Sequence, residues 1–198
     1  MNRRSVRFLL TLAFSAAGLA GTQAGRAGMA PGAGRLSGRS IYQLDAAWTG
    51  DDGAPFRLVQ LLGHPVVIAM IFTRCGSACP RTVEEMKGLE KALPKAIGDQ
   101  TRFVLVSFDS EGDTPPVLRT YRKHSGLDEK RWILLHGNPE QVRELAMALG
   151  VSFSQVGAGL FSHSTLVSVL NRGGEIVFQR PDLQGAGTEA VQAVSGTP

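Results

Sequence analysis

Seven consecutive apolar residues, Val66-Val67-Ile68-Ala69-Met70-Ile71-Phe72, constrain this chain of 198 residues more than any other feature. A run of that length with no polar alternation predicts a strand buried on both faces, the pattern of a parallel strand covered by helices above and below. Its flanks agree. Pro80 suits the first position of a helix with Cys79 as its N-cap, and Val83, Met86, Leu89 and Leu93 recur at helical spacing. A second apolar run, Phe103 to Phe108, ends at Asp109 and predicts the neighbouring strand. Thr114-Pro115 opens a helix to about His124, and Trp132 to Leu135 forms a third strand. Asn138-Pro139-Glu140-Gln141 supplies a cap, a proline at the first position and a capping-box Gln for a helix striped by Val142, Leu145 and Leu149, which Gly150 stops.

Turn signals complete the pattern. Tyr42 to Trp48 and Phe56 to Val59 flank Asp51-Asp52-Gly53 as an N-terminal hairpin. Leu166 to Leu170 and Ile176 to Phe178 surround Asn171-Arg172-Gly173-Gly174 as another, and a helix from about Thr188 to Val194 follows. The order is βαβ, a further α-β-α segment, then ββα. The expected fold is therefore α/β and thioredoxin-like: a central mixed sheet flanked by helices, with an N-terminal hairpin and an inserted α-β-α segment.

The basic balance belongs to the N-terminus. Residues 1–40 hold six arginines and no acid; the remainder sets 15 basic residues against 17 acidic ones, and nothing points to a nucleic-acid surface. Arg3, Arg4 and Arg7 precede an apolar stretch of 13 residues, Phe8 to Ala20, with Thr22-Gln23-Ala24 as a cleavage site. Residues 1–24 thus read as a signal peptide or N-terminal anchor, 25–40 as a flexible Gly/Ala/Arg tether, and 41–195 as one domain. Export puts the two cysteines in an oxidising compartment.

Parallel strands gather their C-terminal ends on one edge, where open α/β sheets place ligands. Cys75 and Cys79 follow the first strand, Asp109 ends the second and His136 ends the third. His163, just ahead of the strand that starts near Ser164, reaches the same edge if that strand runs antiparallel. In Cys75-Gly76-Ser77-Ala78-Cys79 a spacing of four lets both sulfurs face one point if the loop is helix-like, and it also permits a disulfide. The dipole at a helix start favours a Cys79 thiolate. Two thiolates and an imidazole suit copper, whereas structural zinc asks for a fourth protein ligand. A structural disulfide remains open, although closing so short a loop contributes only roughly 2 kcal/mol. His64 reads as a turn residue and His124 as a partner of its helix C-terminus. Asp109 and Asp113 are loop and capping acids that at this edge could orient the cysteine loop.

Phe72-Thr73-Arg74-Cys75-Gly76-Ser77-Ala78-Cys79-Pro80, Ser107-Phe108-Asp109-Ser110-Glu111-Gly112-Asp113-Thr114-Pro115 and the downstream His163 resemble the Sco/SenC family, over roughly residues 41–193. Tyr42-Gln43-Leu44 and the Asp52-Gly53 turn extend the likeness. The resemblance implies a thioredoxin-like domain on the periplasmic side, anchored or released. It implies Cu(I) or Cu(II) bound by Cys75, Cys79 and His163, with Cys75 and Cys79 also a redox-active pair. The implied role is a metallochaperone rather than an enzyme, delivering copper to the CuA centre of cytochrome c oxidase subunit II or reducing its cysteines. Other periplasmic copper carriers or thiol reductants are the further partners. The chain departs from the family at Ser110, where Pro is frequent, and at His136-Gly137, where Thr-Gly is common; the second leaves a tuning role for His136 open. A rival class is a thiol-disulfide oxidoreductase. Its usual Cys-x2-Cys spacing is absent, as is a proline between Val151 and Asn171. A copper or redox sensor is a third reading.

Overall fold

The apolar run becomes β3 (Val66–Ile71), and every residue of it is buried. In the computed structural model, which describes residues 36–184 and 187–197, β3 pairs in parallel with β4 (Arg102–Ser107), matching Val67 to Phe103 and Ile71 to Ser107. β4 pairs in parallel with β5 (Trp132–His136). On its other side β3 takes β8 (Val167–Leu170) antiparallel, with Ala69 opposite Val167. β9 (Ile176–Arg180), β1 (Ala47–Gly50) and β2 (Pro55–Arg57) complete a seven-stranded sheet ordered β2-β1-β5-β4-β3-β8-β9. Strands apolar on both faces need cover on both. α1 (Ala78–Ala92) buries Val83, Met86 and Leu89, while α3 (Pro115–Ser125), α4 (Pro139–Leu149) and α5 (Gly187–Ser195) supply further apolar faces. α2 (Lys95–Gly98) is one turn leading into β4.

The mixed α/β architecture expected above is present, with the α3-β5-α4 segment extending the sheet beyond β4. The capping signals act as the chemistry requires. Asn138 Oδ1 accepts from the N–H groups of Glu140 and Gln141, Gln141 Oε1 accepts from Asn138 N–H, and Gly150 ends α4 at φ 68°. Three local expectations need correction. Ile41–Gln43 is a 3₁₀ turn rather than the start of a strand, because Ser40 caps it through Tyr42 N–H. Phe153–Gly157 (β6) and Leu160–His163 (β7) form a separate two-stranded sheet that the sequence reading did not anticipate. The folded region also begins before Ile41: Ser37 and Arg39 bond to Glu175, and Ser40 Oγ donates to Gly173 O. The expected leader, 1–24, and the tether as far as residue 35 lie outside the described residues.

A buried ion pair holds the N-terminal hairpin to the inserted segment. Arg122 Nε and Nη2 donate to the two Asp51 carboxylate oxygens at 2.6 and 2.7 Å, and Nη1 donates to Trp132 O at 2.9 Å. Removing one member strands the other charge in the interior. Arg122→Ala is expected to lower unfolding free energy by about 3–5 kcal/mol in urea titration. Lys95→Ala, which removes an exposed pair with Asp99, should change it by less than about 0.5 kcal/mol.

Candidate metal centre

The loop Thr73–Ser77 leaves the end of β3 and enters α1, and a buried carboxylate holds its first residue. Asp113, fully buried, accepts from Thr73 N–H at 2.9 Å, Thr73 Oγ1–H at 2.5 Å and Ser107 Oγ–H at 2.6 Å. The residue that starts the loop is therefore tied to the end of β4. Asp113 is in turn braced by His136, whose Nδ1–H donates to its backbone carbonyl at 3.0 Å. A carbonyl can only accept, so His136 carries its proton on Nδ1 there. Asp109, also buried, accepts from Gly112 N–H at 2.8 Å and from Arg74 Nη2 at 2.6 Å. The two acids singled out in the sequence thus bond to the segment around the cysteines.

Helix α1 opens two residues earlier than expected, with Ser77 as N-cap and Cys79 already inside the first turn. Pro80 consequently falls at the third position, where an N–H would still lack an intrahelical acceptor, so the proline is tolerated. This shift reverses the expected thiolate. Cys79 N–H points at Cys75 Sγ, 3.4 Å away. Burial works against ionising Cys75, but the N–H groups of Cys79 and Ser77, with the Cys79 thiol, outweigh it and bring it down to about 6. Burial pushes Cys79 up to about 12, reinforced by the neighbouring Cys75 and Asp113 charges. The free N–H groups of the helix start serve the sulfur above them rather than the one within the turn. Both cysteines are free thiols.

His163 arrives from β7. β8 runs antiparallel to β3, so the chain just before β8 lies at the C-terminal end of β3, and β7 ends there. Its imidazole packs against Phe72, centroids 5.7 Å apart and nearly perpendicular, and against Phe108 at 5.0 Å. Phe153 and Phe161 extend this aromatic cluster from β6 and β7. Nδ1–H donates to Ser164 O at 3.2 Å, which leaves the Nε2 lone pair facing Cys79 Sγ at 3.9 Å. One donor atom from each of Cys75, Cys79 and His163 lies within 4.8 Å of the others; among the described residues no fourth His, Cys, Asp or Glu joins them. Two thiol sulfurs and an imidazole nitrogen form a donor set for a soft ion.

A family model described as SCO1/SenC matches residues 40–195. The chain belongs to the SCO1/SenC family. Among relatives of this family member, a Stutzerimonas stutzeri protein named for copper binding is 36% identical over 115 residues, 58% of this chain and 54% of that one. The chain thus spans about half the length of that relative. Apo Sco1 from Thermus thermophilus is 28% identical, with TM-score 0.62 over 77% of this chain and 91% of the other. Bradyrhizobium japonicum ScoI, solved with copper bound, is 21% identical, with TM-score 0.66 over 77% of this chain and 97% of its own; at that identity the likeness speaks for the fold.

The sequence reading assigned no part to Thr73, Ser107, Phe153 or Phe161. The last was discoverable, since Phe161 and His163 sit two apart in a strand and share a face. The split between the thiols predicts their reactivity. Alkylation of Cys75 should rise with pH through about 6 and level off above neutrality, because the thiolate is the nucleophile. Cys79 should stay unmodified in the folded protein; mass spectrometry of iodoacetamide-treated, metal-free samples reads both.

Proposed function

We propose that this chain is an exported copper chaperone that carries one copper ion as cargo on Cys75, Cys79 and His163. In this reading it delivers the ion to the CuA site of cytochrome c oxidase subunit II, or keeps that site's cysteines reduced. The observation that supports it best is the convergence of two thiols and an imidazole within 4.8 Å, at the sheet edge of an SCO1/SenC domain. Residues 1–24 would direct export, leaving the domain soluble in the periplasm or tethered through its N-terminus. No helix among the described residues is long and apolar enough to cross a membrane.

The chemistry follows from the donors. Soft thiolates favour Cu(I), and three ligands leave room for an acceptor thiolate to add before any of them departs. Asp113, bonded to Thr73, and His163 Nδ1–H, bonded to Ser164 O, hold the donors so that little ordering remains when the ion binds. Binding must displace thiol protons. Above pH 6 Cys75 is already ionised while Cys79 is not, so affinity should rise about tenfold per pH unit toward neutrality as one proton is released. Below pH 6 Cys75 also has to lose its proton, and the dependence should steepen. Anaerobic Cu(I) titration against a competing chelator checks this. One ion per chain is expected, with affinity reduced about a hundredfold or more by His163→Ala or Cys75→Ser. Affinity indifferent to His163 or to pH would overturn the reading.

The contrast between the thiols favours a second reading, a thiol-disulfide oxidoreductase. Cys75 thiolate would attack a partner disulfide to form a mixed disulfide and release one partner thiolate. Cys79, losing its proton, would then attack Cys75 Sγ and release the second, leaving the partner reduced and this chain with a Cys75–Cys79 disulfide. A periplasmic dithiol reductant would have to restore the pair. Turnover of a disulfide substrate unaffected by His163→Ala, together with weak copper binding, would select this alternative.

A further inference from the structure

The hairpin β6–β7 carries His163 yet stands outside the main sheet. A two-stranded ribbon is marginal by itself, so something must hold it. At its base Phe153 lies opposite His163, and Phe153 and Phe161 pack on Phe108. Its other end exposes Val156 and Leu160. There the structure provides a second hold. Arg74, next to Cys75 in the chain, pairs with buried Asp109 at 2.6 Å. A Cβ built on Gly159, in the β6–β7 turn, would overlap Nη1, Nη2 and Cζ of Arg74 together. The guanidinium end of Arg74 therefore lies against Gly159, in the space that a side chain there would fill. A Cβ on Gly112 would likewise meet both the Asp109 carboxylate and Arg74 Nη2. The ion pair occupies space that only two glycines leave open, and Gly159 also adopts φ 64°, where other residues are strained.

We propose that Arg74 is a positioning residue: paired with Asp109 and set against Gly159, it latches the His163 hairpin to the cysteine loop. Three segments meet at this one side chain, namely the loop after β3, the loop after β4 and the turn of the hairpin. A lysine could keep the charge pair but lacks the broad guanidinium end that fills the space beside Gly159. Because Asp109 is buried while the Arg74 side chain is 53% exposed, the substitution that tests the latch must leave the carboxylate a donor, which Gln does. The consequence for the metal site rests on the copper-binding reading above.

The test separates the two. In the metal-free protein, Arg74→Gln is expected to speed amide hydrogen exchange across Phe153–His163 about tenfold, well beyond any change in β3 and β4. Arg74→Lys should restore part of the protection. Cu(I) affinity should fall about tenfold in Arg74→Gln, yet show no further fall when the change is made in His163→Ala, because Arg74 acts through that ligand. Unchanged hairpin exchange, or an equal loss of affinity in both backgrounds, would overturn the latch. Failure of the unaltered protein to bind Cu(I) would instead remove the copper reading, and the exchange measurement would still judge the latch.

Discussion

Parallel pairing of β3 with β4 is the constraint from which the rest follows. Both strands are buried along almost their whole length, and a parallel pair cannot be joined by a tight turn. The crossover must pass over the sheet, which makes α1 start at the C-terminal end of β3, where the chain turns back. A loop at that point has a helix N-terminus on one side and the buried end of a strand on the other. The cysteines therefore sit where free N–H groups and a dry core meet.

That meeting explains why two chemically identical side chains behave so differently. Cys75 lies above the first turn and receives its N–H groups; Cys79 lies within the turn and faces the core. Four residues of separation are enough to place one thiol in a field that favours the anion and the other where burial forbids it. Asp113 adds negative charge close by, yet its own oxygens are occupied by Thr73 and Ser107. It acts as a structural anion whose bonds hold the loop, in keeping with the rule that buried charge is retained where hydrogen bonds satisfy it.

Much of the architecture was legible from the chain. The apolar runs gave β3 and β4, and the capping residues Thr114 and Asn138 gave the starts of α3 and α4, because these features depend on neighbours in sequence. α1 starts two residues ahead of its proline signal, since Ser77 forms no side-chain cap and the sulfur of Cys75 takes a helix N–H instead. β6 and β7 lack an apolar run, no residue of either is fully buried, and their packing partners, Phe72 and Phe108, are distant in sequence.

Donor chemistry was written in Cys75, Cys79 and His163 as residue types, and the spacing of four already allowed the sulfurs to converge. Periodicity and caps likewise carried the α/β order, because local backbone preference and one-dimensional pattern suffice for them. What only the folded chain decided is which thiol ionises, which imidazole nitrogen is left free, and that Arg74 touches the turn at Gly159. Each of these depends on where an N–H, a carbonyl or a guanidinium from a remote segment is placed. Electrostatic fields and hydrogen bonds follow such placement in space, which no spacing along the chain specifies.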